Sequence, residues 1–193
     1  MKRPVAAVAA VTLASLLVGG CGNGPVRSRL ARVAPCPASA LVLRPGAPVV
    51  EMTGEHAVAY NLVNRGPVTC TVRGYPQVVL YDAEGDALPL RYARGGGPFV
   101  TSAKPVTVVL AHGSTAHVLV AKWRCDLGIA RNVTSIRLTL PTAHGTVFAM
   151  RAATAAAGTS AGLSYCRGGP AAAEQLVTIS PVEPAGQSAG SLP

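Results

Sequence analysis

The chain has 193 residues, a formal net charge of +9, 49% apolar and 13% charged side chains, 21 glycines and 16 prolines. That is too apolar for a disordered chain. Its cations are scattered singly and aromatics are only 4%, which argues against a nucleic-acid partner, since such surfaces cluster cations and interleave stacking rings. Arg outnumbers Lys and alanine is abundant, a bias expected of a GC-rich genome.

Residues 1–20 read as a lipoprotein signal peptide. Lys2 and Arg3 form its basic start, Val5 to Val18 an apolar run of signal-peptide length, and Val18-Gly19-Gly20-Cys21 a lipobox. The run is too short to span a bilayer. The expectation is cleavage before Cys21, lipidation of Cys21 with palmitate among the acyl chains, and retention on the outer face of the cytoplasmic membrane. Loss of Lys2 and Arg3 would leave fifteen basic against eight acidic side chains, or +7. Residues 21–35, with Arg27, Arg29 and Arg32, read as a flexible tether whose charges anionic headgroups attract at about 1 kcal/mol each.

A single domain is expected over 36–183, and the Gly-, Ser- and Ala-rich residues 184–193 are expected to be a disordered tail. Leu41-Val42-Leu43 should end at Pro45-Gly46. Ala57 to Val63 alternates, with His56, Val58, Tyr60 and Leu62 on one face, until Asn64-Arg65-Gly66-Pro67 breaks it. Val78 to Tyr81, the turn Asp82 to Asp86 and Leu88 to Tyr92 predict a hairpin. Val106 to Leu110 and Thr115 to Trp123, around Ala111-His112-Gly113-Ser114, predict another. Val133 to Leu140 places Val133, Ser135, Arg137 and Thr139 on a wet face against Thr134, Ile136, Leu138 and Leu140. Gly145 to Met150 and Gln175 to Val182 complete the series, and Arg151 to Ala157 is either a short helix or a loop. Seven to nine short strands without an amphipathic helix predict an all-β fold, an immunoglobulin-like antiparallel β-sandwich.

Apart from Cys21, four cysteines remain, Cys36, Cys70, Cys125 and Cys166, with no CxxC pair. In an exported chain an even number predicts two disulfides rather than a metal site. Three pairings are possible. Cys36 with Cys70 and Cys125 with Cys166 are favoured because each closes a moderate loop, worth roughly 3–4 kcal/mol in the chain-entropy account.

These residues resemble a known family. Asn64, Gly66, Cys70, Gly74-Tyr75-Pro76, Leu110, Gly113-Ser114, Ala116, Cys125, Leu140-Pro141, Cys166 and Val177 to Val182 are similar to the actinobacterial lipoprotein domain catalogued as domain of unknown function 4232. The resemblance runs from Cys36 to Val182 and is most specific at Cys70-Thr71-Val72-Arg73-Gly74-Tyr75-Pro76, while His112 stands where a proline is more usual. It implies a secreted or lipid-anchored sandwich with paired cysteines and no assigned activity.

Catalytic signals are sparse. Gly158-Thr159-Ser160-Ala161-Gly162 matches a hydrolase elbow in spelling, with Ser160 as its nucleophile, but lacks the strand and helix such a turn requires. Asp82, Glu84 and Asp86 alternate like calcium ligands, yet Gly85 interrupts them and no carboxylate closes the loop, so a solvated turn is expected. His56, His112, His117, His144, Met52 and Met150 show no metal-ligand spacing. Gly74-Tyr75-Pro76 reads first as a corner between sheets, its hydroxyl tying down backbone. Tyr75, Tyr92 and Arg94, beside Gly95-Gly96-Gly97-Pro98, are the candidate ligand-facing residues at one end of the sandwich. Trp123 is expected to pack on the disulfide through Cys125. The resulting expectation is a non-enzymatic interaction module with no cofactor, membrane-bound through its lipid, recognising a cell-envelope protein or glycan and no nucleic acid. A small-ligand or metal carrier, and a serine hydrolase using Ser160, are the rivals.

Overall fold

The computed structural model describes residues 33–52, 55–96, 99–123, 125, 129–140, 148–153, 163–167 and 175–186. The residues from Val33 onward form one compact unit. A 3-10 turn at Ala38–Ala40 leads into the strands β1 (Leu41–Met52), β2 (Glu55–Asn64), β3 (Cys70–Val72), β4 (Gln77–Tyr81), β5 (Arg91–Arg94), β6 (Val108–Leu110), β7 (Thr115–Trp123), β8 (Ile129–Arg131), β9 (Ser135–Leu140), β10 (Phe148–Ala153), β11 (Tyr165–Arg167), β12 (Leu176–Ile179) and β13 (Glu183–Pro184). Eight of them have four residues or more. The rest are short ribbons and bridges that local patterning does not distinguish from loop.

One six-stranded sheet has the order β1-β2-β7-β12-β5, with β13 also on β7, and a three-stranded sheet has the order β10-β9-β4. Two ribbons, β11-β8 and β3-β6, complete the fold. Among the described strands the pairings are antiparallel except β12 with β5, and Pro35 makes a parallel bridge to Thr71. Val58, Tyr60, Leu62, Val118, Val120, Val177 and Ile179 of the large sheet share one buried cluster with Val78, Leu80, Ile136, Leu138 and Leu140 of the small one. This is the core of an all-β sandwich. β7 is central and buried from Ala116 to Lys122, because Leu119 and Ala121 on its other face, together with Ala57 of β2, are capped by Phe99 and Val100. Truncating a side chain such as Ile136 or Leu138, each 0% exposed, would cost about 2–5 kcal/mol.

Several local expectations are revised by partner choice. β1 continues through Pro45-Gly46 with a register shift between Pro45 and Pro48. It lies at the edge of the sheet, where proline is tolerated, and a Cβ on Gly46 would stand 2.8 Å from the Ala59 carbonyl oxygen. The first expected hairpin closes at a single antiparallel bridge, Tyr81 with Ala87, where the Leu88 N–H donates to the Leu80 carbonyl at 2.9 Å, and the second does not form. The Asp82–Asp86 turn is present, with an Asp86-to-Asp82 side-chain bond of 2.8 Å, but β4 pairs with β9 and β5 with β12. Leu88 and Leu90 are buried as the chain crosses from one sheet to the other. The 111–114 turn likewise joins β6, paired to β3, with β7, paired to β2. On β9 the alternation holds from Ser135, whereas Val133 is 1% exposed and Thr134 exposed. Thr134 donates 2.6 Å to the Asp82 carbonyl and 3.4 Å to that of Tyr81, which turns the chain before the strand begins. Arg151 to Ala153 lies in β10, and residues 154–157 fall outside the described residues.

Candidate binding flank

The two cysteine pairs favoured from spacing are joined in the structure. Cys36 and Cys70 have Cα atoms 4.7 Å apart, and Cys125 and Cys166 have theirs 5.3 Å apart. The first ties the entering chain to β3, where the Cys36 N–H donates to the Thr71 carbonyl at 2.8 Å and the Thr71 N–H to that of Ala34 at 2.9 Å. Beyond β3 the chain must leave the ribbon for the three-stranded sheet. Gly74, with φ +109°, makes that corner possible, and its carbonyl accepts from the Val182 N–H at 2.9 Å.

Around this corner three segments meet on the flank of the sandwich, at the open side of β5. The Tyr75 hydroxyl donates to the Ala103 carbonyl at 3.1 Å, as expected of a hydroxyl that fixes backbone. The Arg94 guanidinium carbon lies over the Tyr75 ring, 5.7 Å from its centre, an exposed cation–π contact worth about 0.5–1 kcal/mol. Arg73 Nε donates to the Pro105 carbonyl at 3.3 Å. Gly95 is the hinge of the arrangement. Its φ is +67°, and a Cβ there would meet Ser102 Cα at 2.9 Å. Its N–H donates to the Ile179 carbonyl at 2.8 Å. Within the loop, the Ala103 N–H donates to Thr101 Oγ1 at 3.0 Å.

Tyr75 and Arg94 are therefore brought together, Arg94 at the last residue of β5 and Tyr75 two residues before β4 begins. Tyr92 is not part of their surface. It packs against the core, and its hydroxyl oxygen accepts the Leu80 N–H at 3.1 Å, supplying the partner that the free side of β4 lacks. Burial raises its phenol, against the lowering effect of that bond. Arg73 and Lys104 were missed by reading for motifs. The signal for Arg73 was its place two residues before Tyr75, whereas Lys104 joins the flank only through tertiary contacts of the residues either side of it.

Other candidates fall elsewhere. Asp82 is 4% exposed and bonded to Arg131, so the acidic triplet is a braced turn, with only Glu84 and Asp86 exposed. Burial alone would raise the Asp82 carboxyl, but hydrogen bonds from the Asp86 N–H and Arg131, the Arg131 charge and the Gly85 N–H hold it below the usual range. His112 is exposed and bonds the Gly66 carbonyl through Nδ1 at 2.9 Å. His117 lies 3.3 Å from Glu183. Trp123 is 40% exposed, displayed at the end of β7 instead of packed on the disulfide. Glu55, its cross-strand partner, is 2% exposed with Oε2 lacking a hydrogen-bond partner, and burial raises its carboxyl. Among the described residues no three His, Cys, Asp or Glu side chains are grouped for a metal, and no helix is long and apolar enough to cross a membrane. Cys21, His144 and Ser160 lie outside the described residues, and so do the side chains of Met52 and Met150.

No curated protein and no solved structure matches the chain. The profile described as "Domain of unknown function (DUF4232)" matches residues 36–171, stopping short of the Val177–Val182 segment but including both disulfides and the Gly74-Tyr75-Pro76 corner. The chain belongs to the family of domain of unknown function 4232.

Proposed function

We propose that the protein is an exported, lipid-anchored interaction module without catalytic activity, holding its sandwich outside the cytoplasmic membrane and offering the Tyr75–Arg94 flank to a cell-envelope partner. Export is supported by the leader and lipobox at Cys21 and by two cysteine pairs at bonding distance, an arrangement typical of oxidising compartments. The observation that carries the interaction reading is the exposed Arg94 laid over Tyr75, on a corner braced through Ala103 and Gly95. A side chain already ordered in the free protein loses less entropy when a partner engages it.

The test is cosedimentation of the compact unit beginning at Val33 with isolated cell envelopes. Wild type should sediment with them, and Arg94→Ala and Tyr75→Ala should each weaken the association by several fold without unfolding the domain. Equal sedimentation of all three proteins would contradict the assignment of the flank. Ester or peptide turnover that disappears in the full chain with Ser160→Ala would replace the module reading with a hydrolase. Anchoring is tested separately: Cys21→Ser should accumulate as an unacylated precursor, and continued acylation and cleavage after Gly20 would refute it.

A further inference from the structure

We propose that the flank is an oxyanion site and that its ligand is a phosphate-bearing polymer of the envelope, a deepening that rests on the interaction reading above. Three exposed cations, Arg73, Arg94 and Lys104, lie on the corner after β3, on β5 and on the 99–105 loop, segments tied together by the Arg73–Pro105, Tyr75–Ala103 and Arg94–Tyr75 contacts. Two are held by contacts that leave their anion-binding edges free. Arg73 uses Nε on the Pro105 carbonyl, which leaves its terminal nitrogens, and Arg94 uses its face on Tyr75, which leaves its donor edge. Lys104 sits between Ala103 and Pro105, whose carbonyls accept from Tyr75 and Arg73.

Residues 66–81 and 91–110, which supply the flank's side chains, contain no Asp or Glu. Glu183 follows the Val182 whose N–H bonds Gly74, but its carboxylate lies 3.3 Å from His117. The pair of Arg131 with Asp82 lies on other segments. A guanidinium is a planar fork of donors that matches phosphate in a bidentate manner, and holding the fork in place gains specificity for a discrete oxyanion. Diffuse attraction to an anionic bilayer needs no such fixation, since it depends on net charge near the surface. The flank therefore fits successive phosphates of a chain molecule, each neutralised by one cation, better than a lipid surface.

The experiment uses the unit from Val33 with medium-length polyphosphate as the probe, inorganic phosphate as competitor and phosphatidylglycerol vesicles as a separate arm. Wild type should bind polyphosphate, with affinity falling as salt rises. Arg73→Ala and Arg94→Ala should each weaken it on the order of 10-fold or more, and each should lower the slope of log affinity against log salt by about one. Arg94→Lys, which keeps the charge but not the fork, should recover only part of the loss. Inorganic phosphate should compete. All three side chains are exposed, so circular dichroism should report the wild-type fold throughout. Polyphosphate binding that is absent, or that survives Arg73→Ala/Arg94→Ala/Lys104→Ala unchanged, would overturn the proposal. So would vesicle binding that depends on these residues while polyphosphate is ignored, which would make the ligand a bilayer. Envelope cosedimentation that still needs Tyr75 and Arg94 while no phosphate probe binds would remove the oxyanion assignment and leave the interaction reading standing.

Discussion

Asn64→Ala tests how the family's shared residues hold the sandwich together. Asn64 closes β2 with its side chain 0% exposed. Nδ2 donates to the Leu110 and Val68 carbonyls, both at 2.9 Å, and Oδ1 accepts the Gly66 N–H at 2.9 Å. Its backbone meets the 111–114 turn, donating to the Ser114 carbonyl at 3.0 Å and accepting the Gly113 N–H at 2.8 Å. One residue thus joins the large sheet, the break after β2 and the corner between β6 and β7. In Asn64→Ala the Val68 carbonyl can turn to water, because Val68 is 70% exposed. The Gly66 N–H keeps a second acceptor, the Ala40 carbonyl at 3.3 Å, whereas the Leu110 carbonyl is less accessible and costs about 1–3 kcal/mol when its side-chain donor is lost. The expected loss is therefore about 1–3 kcal/mol, a sizeable part of a typical domain stability. With a urea slope of roughly 2 kcal/mol per molar, the midpoint followed by circular dichroism should fall by about 0.5–1.5 M. Asn64→Asp should be worse at neutral pH, since a carboxylate oxygen would face two carbonyl oxygens, and acidification should relieve part of the loss. The exposed neighbour substitution Arg65→Ala should stay within about 0.5 kcal/mol of wild type. An Asn64→Ala midpoint equal to that of Arg65→Ala would refute this account of the junction.

Two carboxylates should give opposite pH signatures. Asp82 is lowered in the fold, so its stabilisation is present above the ordinary aspartate range and is lost as pH falls through the folded value; Asp82→Asn should flatten that acid limb in denaturation measured against pH. Glu55 is raised by burial, so stability should decline as pH rises from the ordinary glutamate range through the folded value, and Glu55→Gln should remove the decline; an unchanged profile would exclude this role. Gly95→Ala forces an L side chain to φ +67° with its Cβ 2.9 Å from Ser102 Cα; it should cost about 1–3 kcal/mol and weaken envelope cosedimentation, whereas full retention of both would show that the loop does not depend on this contact. Reduction of both disulfides should lower the denaturation midpoint, with the Cys36–Cys70 loop, 34 residues apart in sequence, contributing about 3–4 kcal/mol in the chain-entropy account.

The strands were legible wherever one face is wet and the other buried, as at Ile136, Leu138 and Leu140 against Arg137. Alternation reports which face a side chain takes, because it arises within one strand. It does not report which strand lies alongside. The turns at 82–86 and 111–114 were therefore placed correctly, yet read as full hairpins, when the first closes by one bridge before the chain crosses to β5 and the second joins strands of different sheets. β1 passes through Pro45 for a reason that depends on its edge position. Within the flank, Tyr75 and Arg94 could be named from an aromatic at a glycine–proline corner and a cation beside a glycine run. Lys104 could not, since Thr101 to Pro105 has no period and acquires its place through Ala103, Pro105 and the glycine-only approach at Gly95. Trp123 was misread because nearness to Cys125 in sequence says nothing about the direction in which β7 delivers its last side chain.

Hydrogen–deuterium exchange of the unit from Val33, with and without isolated envelope material, tests the central claim most directly. The account predicts added protection confined to residues 91–95 and 99–105 and to the corner at Arg73–Tyr75, with the 111–114 turn and the Asp82–Asp86 turn unchanged. Protection centred on either of those turns, or on Trp123 and Ile129, with none at the flank, would contradict it.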